Sequence, residues 1–135
     1  MYLQRRKAMR LDRIHHIAVI CSDKEKALEF YHTRLGFEII RSHYREERND
    51  WKIDLRINEN TELELFIMPD HPERVSNPEA YGLRHLAFCV SSVKDTVEDL
   101  ESLGIECEPI RIDDYTRKPM TFFKDPDNLP IEIHE

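Results

Sequence analysis

The chain repeats itself. His16-Ile-Ala-Val-Ile20 and His85-Leu-Ala-Phe-Cys89 are alternating runs of the kind that form β-strands, and each opens the same series of signals. Ser22-Asp-Lys-Glu25 reads as a capping box ahead of a helix carrying Ala27, Phe30, Tyr31 and Leu35; Ser92-Val-Lys-Asp95 starts a helix carrying Val93, Val97, Leu100 and Leu103. Both helices run into a Leu-Gly pair, Leu35-Gly36 and Leu103-Gly104, where glycine suits the left-handed position that ends a helix. Extended stretches follow at Phe37–Ile40 and Ile105–Glu108. Two further strands then close each half, Trp51–Ile57 with Glu62–Ile67 and Met120–Lys124 with Leu129–His134. Each half is therefore β-α-β-β-β. One curved sheet with one helix leaves a face open, so the two halves are expected to fold together.

The boundaries follow from this. Residues 1–12 read as a basic N-terminal arm, not a secretory leader, because no apolar run follows the early arginines. Residues 13–135 form one domain, with module one over about 13–68, a proline-marked linker over about 69–83 and module two over about 84–135. With 27 acidic against 20 basic residues, the chain is a poor nonspecific nucleic-acid binder, and no apolar run is long enough for a membrane helix. Cys21, Cys89 and Cys107 are an odd count with no C-x-x-C pair, which points to reduced thiols and a cytoplasmic setting, the thiols serving as small core residues.

Strand alternation sorts the side chains into faces. Ile17 and Val19, Leu63, Leu65 and Ile67, Leu86, Phe88 and Val90, and Leu129, Ile131 and Ile133 are expected beneath the helices. The opposite faces carry His16, Glu64, His85 and Glu132, one on each of four strands. His16 precedes Glu64 by 48 positions and His85 precedes Glu132 by 47, so a duplicated unit supplies a duplicated His–Glu set. Imidazole nitrogen and carboxylate oxygen together suit one divalent ion such as Zn, Ni, Co, Mn or Fe. Ala18 and Ala87, the next inward neighbours of the histidines, leave room for it. The same offsets turn Lys52, Asp54, Met120 and Phe122 toward this surface, while Arg45, Arg48, Arg111, Arg117 and Tyr115 fall near strand ends.

His16-Ile-Ala-Val-Ile with Asp23, Phe30-Tyr31 with Leu35-Gly36-Phe37, Glu64-Leu-Phe, Gly82-Leu-Arg-His85-Leu-Ala-Phe and Asp125-Pro-Asp-Asn-Leu-Pro-Ile-Glu132 together resemble the vicinal oxygen chelate superfamily. That superfamily includes glyoxalase I, methylmalonyl-CoA epimerase, extradiol dioxygenases and bleomycin-binding proteins. Pro78–His85 and Thr121–Asp127 are most similar to its small bacterial YaeR-like members. The resemblance implies an α+β fold in which two tandem βαβββ modules form an eight-stranded, cup-shaped mixed sheet. It implies metal ligation by His16, Glu64, His85 and Glu132, with His15 a competitor of His16 that alternation sends to the other side. Asn128 replaces the glycine usual in the turn, and asparagine tolerates positive φ better than most residues.

The resemblance also orders the chemistry. Extradiol dioxygenases lack a glutamate at the position of Glu64, and glyoxalase I and the epimerase carry one. A metal-dependent lyase or isomerase of the glyoxalase I type is therefore expected, moving a proton beside a carbonyl of a small substrate such as a thiol adduct. Glu132 is its favoured base; Glu64 is a ligand, a second base or both in turn. Lys52, Asp54, Met120 and Phe122 are the expected substrate contacts, and a homodimer the expected assembly. The alternatives are a metal-retaining binding or resistance protein, a thiol transferase, or a dioxygenase on the same scaffold.

Overall fold

The structure is a computed structural model that describes residues 9–135; the expected arm at 1–12 therefore lies mostly outside the described residues. Strand β1 (His16–Cys21) leads into α1 (Lys24–Leu28), which continues as a π-helical segment over Glu29–Arg34. Strands β2 (Glu38–Arg45), β3 (Asp50–Arg56) and β4 (Glu62–Ile67) complete module one. Module two runs β5 (Leu86–Cys89), α2 (Val93–Ser102), β6 (Arg111–Ile112), β7 (Pro119–Lys124) and β8 (Pro130–His134). The eight strands divide into two four-stranded mixed sheets of matching order, β1-β4-β3-β2 and β5-β8-β7-β6. In each, the first and last strands of the module pair in parallel and the rest antiparallel. The α+β class and the module duplication are as expected.

Local signals explain most element ends. Ser92 caps α2 by accepting from Asp95 N at 3.1 Å. The cap of α1 is Asp23, whose carboxylate accepts from Lys26 N at 2.9 Å, so the expected Ser22 box does not form. Ser22 is drawn away instead: its N–H and hydroxyl both donate to Asp127 of module two. Gly36 and Gly104 take φ of 82° and 79° where the helices end, and Asn128 takes φ 69° in the turn.

One strand differs from expectation. Ile105–Glu108 is not a ladder strand; β6 lies later, at Arg111–Ile112. Ile105 turns into the core, and its N–H bonds back to Leu100 O at 3.0 Å as part of the helix ending. Glu108 N donates once, to Phe122 O, before Pro109 removes the next donor.

The apolar faces of both sheets and residues of both helices form one core cluster, from Val19, Leu63 and Leu65 to Ile131 and Ile133. Packing against a shared core turns the opposite, polar faces of the two sheets away from it. The Asp125-Pro-Asp127 turn ties the modules together. Tyr31, 1% exposed, donates to Asp125 Oδ2 at 2.6 Å, and Asp125 Oδ1 accepts from Asp127 N and Leu129 N.

Burial pushes the Asp125 carboxyl above the usual carboxylate range, and the Tyr31 hydroxyl pulls it back. A raised carboxyl contributes stability that is present below its unfolded pKa and lost as pH rises through its folded pKa. Tyr31→Phe raises that folded value further, so its cost grows with pH. Urea unfolding should show a loss of about 2 kcal/mol near pH 7 and a smaller one near pH 4.

Candidate metal centre

The parallel register of β1 and β4 sets Ala18 opposite Glu64 and His16 opposite Glu62. That offset brings His16 Nε2 to 3.7 Å from Glu64 Oε2 on the polar face of the first sheet. His15 is not a rival for Glu64: its Nδ1 lies 2.9 Å from His16 Nδ1, with the rings edge to face. It occupies the far nitrogen of His16 and leaves Nε2 aimed at the carboxylate, which is how a neighbour fixes an imidazole tautomer.

Module two repeats the arrangement. Ala87 is opposite Glu132, and His85 Nε2 lies 3.0 Å from Glu132 Oε1. The Phe122 ring backs His85 edge to face at 5.1 Å. Arg84 Nη1 is 3.1 Å from His85 Nδ1. A guanidinium only donates, so Nδ1 accepts here and the ring proton sits on Nε2 facing Glu132. Coordination through Nε2 would move that proton to Nδ1 and displace Arg84, whose side chain is 66% exposed and also paired with Glu79 at 3.5 Å.

Two ligands of one tetrahedral ion stand about 3.4 Å apart when each bond is about 2.1 Å. The two His–Glu separations bracket that value, and the donor atoms are those that bind divalent transition ions. Each face thus fits one half of a metal site. The halves do not meet within the chain: among the described residues, no group of three or more His, Cys, Asp or Glu is gathered for a metal. His16 with Glu64 and His85 with Glu132 are brought together as pairs, and the pairs lie on separate sheets.

The surroundings of the pairs differ. Beside Glu64 runs a chain of charge: Lys52 Nζ is 3.6 Å from Glu64 Oε2 and 3.2 Å from Asp54 Oδ1, and Arg41 Nε is 2.9 Å from Asp54 Oδ2. Arg41 also pairs with Glu62. Beside Glu132 the wall is Phe122, with Arg111 stacked over its ring at 5.5 Å. Met120 sits next along β7, half-buried. His134, on the Glu132 face, is clamped by Asp113 at 3.0 Å and by Thr116 at 3.2 Å. That carboxylate holds the His134 imidazole above its usual pKa, and the imidazole holds Asp113 below the usual range.

Arg41 is the residue that sequence reading misses. Strand β2 extends to Arg45, and its register slips between Ile39 and Arg41. A bulge of this kind moves later side chains to the other face, so simple alternation places Arg41 wrongly. Of the arginines placed near strand ends, Arg45 is committed to Asp50 through two bonds of 2.6 and 2.7 Å. The three cysteines are unpaired, but Cys89 is exposed on the polar face of β5, not buried. Two cavities lie elsewhere. One of about 780 Å³ runs between α1 and residues 104–109, and one of about 650 Å³ lies under the linker. Neither is lined by His16, Glu64, His85 or Glu132.

Residues 13–133 match the family described as the glyoxalase/bleomycin resistance protein/dioxygenase superfamily. The chain is 55% identical over 127 residues to YwkD of Bacillus subtilis, covering 94% of this chain and 99% of that protein. It is 50% identical over 125 residues to YaeR of Escherichia coli, covering 93% and 97%. The crystal structure of a glyoxalase family protein from Enterococcus faecalis superposes with a TM-score of 0.90 at 49% identity, covering 94% of this chain and all of that one. The duplicated modules, the paired His–Glu positions and these likenesses agree: the chain belongs to the glyoxalase/bleomycin resistance protein/dioxygenase superfamily.

Proposed function

We propose that the protein is a metal-dependent lyase or isomerase of the glyoxalase I type, working as a homodimer on a small carbonyl substrate. The observation that carries this reading is the pair of matched His–Glu contacts, one on the polar face of each sheet, with donor atoms suited to half the ligand set of one divalent ion. A second copy related by a two-fold axis supplies the other half, and such an axis makes two centres at once, His16 and Glu64 of one protomer facing His85 and Glu132 of the other. The bound ion, whether Zn, Ni, Co, Mn or Fe, would supply Lewis acidity toward a substrate oxygen.

The protein's own residues do the rest. Glu132 takes the proton from the carbon beside the carbonyl and returns it to the neighbouring carbon. Glu64 acts as ligand or as a second acceptor of that proton. Phe122 and Met120 form an apolar wall for the body of the substrate and help to exclude water, while Lys52, backed by the buried Asp54, forms a polar one. Three unpaired thiols suit a reducing cytoplasm, and among the described residues no helix is long and apolar enough to cross a membrane.

The functional test is a screen of metal-loaded protein with methylglyoxal and several thiols, following thioester formation. Turnover of a hemithioacetal supports the lyase; tight substrate binding without turnover favours the metal-retaining binding protein in its place. The assembly has its own test. Sedimentation at micromolar concentration should give a dimer, and a stable monomer there would remove the shared centre.

A further inference from the structure

The two glutamates of the metal sets are not in equivalent surroundings. Lys52 Nζ stands between two carboxylates, 3.2 Å from Asp54 Oδ1 and 3.6 Å from Glu64 Oε2. Asp54 is 3% exposed, and Arg41 holds its other oxygen at 2.9 Å. Asp54 Oδ1 is buried and makes no hydrogen bond. The ammonium is aligned on Oδ2 at 3.3 Å and meets Oδ1 by charge alone, so its remaining protons are left for Glu64. In module two the positions twelve and ten before Glu132 are Met120 and Phe122, and the ion-pair contact of Glu132 is with His85. A cation waits beside one carboxylate of the centre, and an aromatic ring beside the other.

We propose that Lys52, anchored by Asp54 and Arg41, is a positioning residue that offers Glu64 a second partner beside the divalent ion and so makes Glu64 the exchangeable ligand of the centre. The inference rests on the reading of Glu64 as a ligand. A carboxylate that leaves an ion must find compensation for its charge, and among the described residues Glu64 has it at 3.6 Å. The same ammonium repels a divalent ion bound at Glu64, and the buried charge of Asp54 offsets that repulsion. The two residues therefore act on metal affinity with opposite signs.

Calorimetric binding of Co(II) to the full chain tests this with wild type, Lys52→Met, Lys52→Arg, Asp54→Asn and His85→Ala. Methionine already occupies the corresponding position of module two, so Lys52→Met suits the strand. Lys52→Met should bind Co(II) about tenfold more tightly, Lys52→Arg should stay within about threefold of wild type, and Asp54→Asn should bind about tenfold more weakly. Structural damage weakens metal binding, so a gain in Lys52→Met cannot come from a loosened fold. Lys52→Met binding as wild type or more weakly, with His85→Ala stripped of metal, overturns the role of Lys52 alone. His85→Ala binding as wild type overturns the metal centre itself, and the proposal with it.

Discussion

His85→Ala should leave the protein folded and nearly free of metal. The imidazole stands 3.0 Å from Glu132 on an open sheet face, with its side chain 23% exposed, so its removal opens no core cavity. Mutations of groups that merely support metal ligands cost 10–100-fold in affinity, and loss of a ligand should cost on the order of 10²-fold or more. Elemental analysis after dialysis, beside a thermal unfolding curve that stays close to wild type, reads both halves of the expectation. Unchanged stoichiometry and affinity would remove His85 from the ligand set.

Glu132→Gln should lower turnover on any substrate found in the screen by about 10²-fold or more, the usual scale of a lost general base. Glutamine keeps the length of the side chain and can still accept from His85, so folding should change little. What it cannot do is take a proton from carbon. The Phe122 ring and the neighbouring strand leave Glu132 9% exposed, which limits the water able to replace it as a base. Slow turnover in deuterated solvent, or labelled substrate followed by mass spectrometry, shows whether a proton moves between carbons. A metal-loaded Glu132→Gln protein with wild-type turnover, or a reaction that consumes oxygen, would contradict the assignment.

The sequence carries the duplication and the faces of the strands because both depend on local rules. Alternation placed Leu63, Leu65, Ile131 and Ile133 in the core and His16, Glu64, His85 and Glu132 opposite them, and the burial of the apolar set agrees. Where local rules were overridden, the competing contact is visible. Ser22 gave up the helix cap for Asp127, a residue 105 positions away. Arg41 reached Asp54 through a bulge that alternation does not see. Ile105 left its expected strand for the core, and Pro109 kept the ladder from forming until Arg111.

The larger gap concerns how the sheets sit on one another. Periodicity fixes which side of its own sheet a residue occupies, and it says nothing about which way that side points relative to the other sheet. The shared apolar core and the Tyr31–Asp125 and Ser22–Asp127 ties decide this, and they send the two His–Glu pairs apart. Four residues that read as one set in the sequence are two half-sets in the folded chain.

That separation makes subunit complementation the most direct test of the account. A chain carrying His16→Ala retains His85 and Glu132, and a chain carrying His85→Ala retains His16 and Glu64. Each homodimer should be nearly metal-free. A mixed dimer, isolated through different affinity tags, brings the intact halves together at one of its two centres and should recover about one tightly bound ion, with about half the wild-type activity. A mixed dimer as empty as its parents would contradict a centre shared between protomers.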